Sequence, residues 1–358
     1  MRGGSIETDR PARPAIACIS ATSTAEELIF AGCNVHIQNG LGATETTNGQ
    51  GNLIVGYHEP NPSQNLRTGS HNVVVGPAHT FASFGGLVAG SFNHLAAPYA
   101  VVSGGRDNVA SGSYASVSGG LSNTASGEYA SVSGGFGNTA SGSYVSVSGG
   151  AYNTASGEYT SVSGGAHNTA SGAYASVSSG GAYNTASGAY ASVSGGGGNV
   201  ASGDSASISG CNGNTASGAH ASVSGGTSNT ASGTSGSSVC GGKSNTASSG
   251  TIRFEASTVC DGYANMADGN YATVSGGFDN RASWSFYTSV SGGEHNTALA
   301  VASSVCGGIE NVASGSYASV SGGYGNVASG DFSSVSGGVN CSTPVIYFWV
   351  GGGLSQPN

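Results

Sequence analysis

Charge is the first thing this chain lacks. Only 7% of its 358 residues are charged, and eight Lys and Arg against 17 Asp and Glu leave a net charge of −9. With so few cations there is no basic patch, and nucleic acid is not an expected partner. Long apolar runs are missing as well. None approaches the ~20 residues that a bilayer-crossing helix needs, so no membrane span is expected. Ordinary core residues are scarce: Leu, Ile, Val and Phe together number 60, about 17%, below the roughly 20% under which disorder becomes the usual reading. Disorder, however, also goes with high net charge and irregular text, and here the apolar residues keep strict register. Seven cysteines is an odd number in a long chain, which excludes a dense disulfide framework fully paired within it. The start, Met1-Arg2-Gly3-Gly4-Ser5, lacks the apolar centre of a signal peptide, so a mature or truncated form is expected.

What is present is repetition. From Asn108 to Gly181 the text Asn-Thr-Ala-Ser-Gly-x-Tyr-Ala-Ser-Val-Ser-Gly-Gly-x-x recurs, with Asn108, Asn123, Asn138, Asn153 and Asn168 spaced 15 residues apart. Val117, Val132, Val147 and Val162 keep the same interval. A short fixed period is the signature of a stacked, quasi-one-dimensional scaffold. The expected organisation is a flexible or expression-derived leader over 1–14, an N-terminal β cap over 15–51 and irregular first coils over 52–92. Regular repeats then fill 93–338, and a C-terminal cap takes 339–358, where Val345 to Val350 form the most apolar stretch. One extra residue interrupts the period near Ser179, near Ser235 and near Trp284, and about five lie between Ser248 and Ser257.

One unit predicts one flattened coil. Alternate strand residues share a face, so Ala115 and Val117 point inward and Tyr114, Ser116 and Ser118 outward. Asn123 and Ala125 likewise oppose Thr124 and Ser126. Gly at the corners is expected to supply positive φ, and a buried Asn in every coil is expected to form a hydrogen-bonded ladder with its copies. One Val and two Ala per coil bury little area against the backbone entropy of 15 residues. Burial of a second face against further copies is therefore expected.

The segments Asn-Thr-Ala-Ser-Gly and Ala-Ser-Val-Ser-Gly resemble the Ser-x-Ala-x-Gly rungs of trimeric autotransporter adhesin heads of the YadA-like type, over roughly residues 86–338. Asn52-Leu53-Ile54-Val55-Gly56-Tyr57 and Arg67-Thr68-Gly69-Ser70-His71-Asn72 look like a lead-in of secreted bacterial repeat proteins of that kind. The unit here is one residue longer than that family's usual one, and Asn stands where it has Ser. The resemblance implies an all-β, left-handed parallel β-roll, a homotrimer, and a bacterial cell-surface or secreted setting.

Chemistry is sparse. The eight His are scattered, no Ser has a base at a recognisable spacing, and Asp is too sporadic for a calcium-binding roll. No catalytic residue, cofactor or metal is expected. Cys240, Cys260 and Cys306 occupy the position of Ser118; the first two belong to successive units, about one strand spacing apart, where either a disulfide or two small side chains fits. Arg253, Phe254 and Glu255 on the long insertion, with Trp284, Phe286 and Tyr287 two rungs later, form a candidate contact patch. The expected role is extracellular structural display or adhesion. Its partners would be the chain itself, as trimer or fibre, and a host or matrix surface or its glycans. End-to-end fibre formation and ice binding through the Thr-x-Ser face are the competing readings.

Overall fold

The computed structural model describes residues 19–21, 28–178, 180–249 and 256–351. The chain is an all-β parallel solenoid with one coil per 15-residue repeat. Ile19–Ala21 and Leu28–Phe30 pair antiparallel ahead of the stack. Leu53–Val55 and Val73–Val75 open the first of two parallel sheets, and from Val73–Val75 onward the chain alternates between them. The first is built from strands such as Ser116–Val117 and Ser131–Val132, the second from strands such as Thr124–Ala125 and Thr139–Ala140, each paired residue for residue with the next coil. Among the described residues neither sheet closes on itself; in the second, Thr80–Phe81 pairs only with His94–Leu95 and Ser342–Thr343 only with Val327–Ala328. Among the described residues Leu53–Val55 pairs only with Val73–Val75, and Trp349–Val350 only with Ser334–Val335.

A third column joins them. Isolated parallel bridges run from Ser91↔Arg106 through Leu121↔Phe136 to Tyr324↔Val339 along the corner after the glycine pair. Two strands per coil were expected; this corner is a further hydrogen-bonded seam. It forms because Gly120, at φ +87°, turns the chain so that the N–H of Leu121 meets the Gly135 carbonyl at 3.0 Å.

The interior is as thin as the repeat implies. Ala115, Val117, Asn123 and Ala125 are fully buried, and their copies form continuous columns. Larger groups enter the core at the N-terminal coils, with Phe81 and Leu95, and at Ile208. Insertions leave the register intact: Thr169 pairs with Thr185 and Val239 with Val259. Beyond Gly338 the sequence repeat dissolves while the coil geometry continues through Ser342–Thr343 and Trp349–Val350.

Two corner expectations need correction. Positive φ is not confined to glycine: Tyr114, Tyr129 and Tyr144, and the residue before Asn (Ser122, Tyr152, His167), lie at φ +55° to +58°. Each such residue costs about 1–2 kcal/mol. The backbone repays part of it, since the Tyr129 N–H donates to the Ser113 carbonyl at 3.0 Å. Gly127, by contrast, has no positive φ; it is there because a Cβ would sit 1.8 Å from the Gly142 carbonyl oxygen.

Candidate functional surface

Asn108, Asn123, Asn138, Asn153 and Asn168 line the inner corner with no exposed surface. Their bonding differs from a simple amide-to-amide ladder. The Asn123 Oδ1 accepts the backbone N–H of Asn138 at 2.9 Å, while its Nδ2 donates to the carbonyls of Gly119 at 3.0 Å and Gly135 at 2.9 Å. One side chain thus ties its own coil to the next, capping the Gly119 carbonyl and sharing the Gly135 carbonyl with the Leu121 N–H. The same device runs from Asn93 to Asn326. At the N-terminal end His79 takes the Asn place: its Nδ1 accepts the Asn93 N–H at 3.2 Å, and its Nε2 lies 3.0 Å from the Val75 carbonyl. Burial holds the His79 imidazole below its usual pKa. These residues are architecture, and nothing outside the roll reaches them.

Function must therefore sit on the outside, where the structure shows a feature that the sequence reading passed over. Tyr99, Tyr114, Tyr129, Tyr144, Tyr159, Tyr174 and Tyr190 form one continuous stack along a corner, with successive ring centroids 4.9–5.1 Å apart. Between 43% and 49% of each ring residue from Tyr114 to Tyr174 is open to solvent. The stack follows from the parallel in-register coils, which repeat every side chain at the strand spacing, and offset ring pairs add their own attraction. Desolvation within the stack raises the phenol pKa of Tyr144, helped by Glu128 and its neighbouring tyrosines, and raises that of Tyr174 likewise. The period of 15 in the tyrosines was the available signal. At the opposite corner Tyr152, His167 and Tyr183 make a second, shorter stack at 4.9–5.1 Å.

The expected contact patch is placed in part. Trp284, Phe286 and Tyr287 are all exposed, Trp284 at 80%. Tyr287 continues the tyrosine corner and stacks on Tyr271 at 5.2 Å, and Phe286 lies 6.4 Å from Tyr287. Arg281 lies over the Trp284 ring at 5.9 Å and pairs with Asp268 at 3.0 Å. Arg253, Phe254 and Glu255 lie outside the described residues. The Thr-x-Ser face is present, with Thr124 half-buried and Ser126 exposed, but Val109, Val200, Met266 and Arg281 interrupt the Thr column. Among the described residues no group of three or more His, Cys, Asp or Glu side chains is arranged to hold a metal ion, and no helix is long and apolar enough to cross a membrane.

Fold and surface together define a β-solenoid repeat protein that is closed inside and aromatic at its corners. Residues 272–283 match the ubiquitous surface protein adhesin repeat. That stretch runs from Ala272 through the strand Thr273–Val274, the turn Gly276-Gly277 and the buried Asn280 to Arg281–Ala282, the frame that most coils share. A comparison with curated proteins found no match to the chain.

Proposed function

We propose that this chain is a non-catalytic adhesive roll, secreted or held at a bacterial cell surface, whose aromatic corners make its contacts. The observation that carries this reading is the exposed tyrosine stack from Tyr99 to Tyr190. A monomeric soluble protein rarely keeps a long contiguous apolar patch open without a partner for it, and tyrosine is among the residues most enriched in contact surfaces. Trp284, Phe286 and Tyr287 extend the same corner. The adhesin-repeat match at residues 272–283 supports a surface role. The partners proposed are a host or matrix surface, or its glycans, together with two further copies of the chain packed side by side. Replacing Tyr114, Tyr129, Tyr144, Tyr159 and Tyr174 by Ser tests it: attachment of the purified chain to matrix- or glycan-coated surfaces should fall while the β-sheet spectrum is kept. Unchanged attachment would remove the tyrosine corner from the account.

The second reading is end-to-end fibre formation, and one observation favours it. Among the described residues both outer strands of the first sheet pair on one side only, and they are apolar and exposed, at Leu53, Ile54 and Val55 and at Trp349, with Val345, Ile346 and Phe348 beside it. Unpaired parallel edges are templates for another chain. Electron micrographs settle between the two: discrete short particles fit the first reading, long unbranched filaments the second.

A further inference from the structure

Cys240 and Cys260 hold the place that Ser118 has in a regular coil, on consecutive coils. Their strands pair in register, Ser238 with Thr258 and Val239 with Val259, and the Cys240 N–H donates to the Val259 carbonyl at 3.0 Å. Burial, with the Cys260 thiol beside it, raises the Cys240 pKa, and both cysteines are free. Neighbouring parallel strands stand ~4.8 Å apart, inside the Cα separation of roughly 4.4–6.8 Å that a disulfide spans. Gly241 follows Cys240, and Gly242 at φ +78° turns the chain away just beyond the thiol. The two positions bracket the longest interruption of the repeat, since Val239 pairs with a residue 20 further on. The chain also already holds a disulfide, at Cys33, and disulfides persist in oxidising compartments.

We propose that Cys240 and Cys260 are an intrachain disulfide site that staples the coil carrying the long insertion, formed by exchange with a disulfide donor such as oxidised glutathione. One thiol loses its proton and attacks the donor, giving a mixed disulfide and releasing one glutathione thiolate. The second thiol then displaces the other glutathione. The protein loses two protons and two electrons, and the donor becomes two reduced thiols. Cys306 sits at the same position between coils that carry Ser291 and Ser321, so it has no thiol beside it in the stack and serves as the internal control.

The test is oxidation of the folded full chain with oxidised glutathione, alkylation of remaining thiols, and mass mapping of a non-reduced digest. The expected result is a linked pair of peptides containing Cys240 and Cys260, two fewer alkylated thiols per chain, and Cys306 still alkylated. The thermal midpoint should rise by several degrees over that of Cys240→Ser treated in the same way. The proposal is overturned if both thiols remain alkylated, if each ends as a mixed disulfide, or if Cys240 is found linked to another chain.

Discussion

Asn138 is bonded on three sides inside the roll: its Oδ1 accepts the Asn153 N–H at 2.9 Å, and its Nδ2 donates to the Gly134 and Gly150 carbonyls at 2.9 and 3.0 Å. Asn138→Ala leaves the buried Asn153 N–H without its acceptor and takes one of two donors from the Gly150 carbonyl, and the expected loss is about 1–3 kcal/mol, read as a lower denaturation midpoint and faster amide exchange in the flanking coils. Gly127→Ala should be as disruptive, by about 1–3 kcal/mol or more, because its Cβ meets the Gly142 carbonyl. His79 carries a pH dependence. Burial depresses its folded pKa below 6.5, so the unfolded chain binds the proton more readily. The stability that neutral His79 contributes is present above that value and is lost as pH falls through the folded pKa. Burial also lowers His58 and His94. Hydrogen exchange between pH 7 and 5 should show the coils of residues 53–95 loosening before the regular repeats. At this scale the inward columns of Ala, Val and Asn were legible in the sequence, because period 2 within strands and 15 between coils leave one solution. The bonding of Asn was not, since it depends on where the glycine turn leaves its carbonyls.

At the scale of the coil, the tyrosine corner shows how repetition converts a small preference into a surface. A single Tyr in the left-handed region is a cost; seven in register stack and share their solvent exclusion. Because folding raises the phenol pKa of Tyr144 and Tyr174, the stack's contribution is intact at and below the usual tyrosine value and lost as pH rises through the folded one. An ultraviolet titration should show part of the tyrosine signal ionising late. The stack was in principle readable from the period of Tyr114, Tyr129 and Tyr144. It stayed hidden because an outward side chain in a strand reads as solvated until the coils are stacked. The bridge column at Leu121 and Phe136 was hidden for a different reason: single-residue pairing leaves no alternation pattern.

For the whole molecule the argument is about what a roll with so thin an interior does with its outer faces. Side-by-side packing of three copies buries two of them, and light scattering of the purified chain should then give three times the mass of 34.5 kDa. A monomer would remove that arrangement and leave the corners free. The adhesive claim is tested most directly by retention on a matrix- or glycan-coated surface, comparing the native chain with the five-tyrosine serine variant and with Trp284→Ala. The account predicts strong retention of the native chain and about tenfold weaker retention of the five-tyrosine variant, with both folds intact by circular dichroism. Equal retention of the native and five-tyrosine chains, or no retention of the native chain on any such surface, would contradict it.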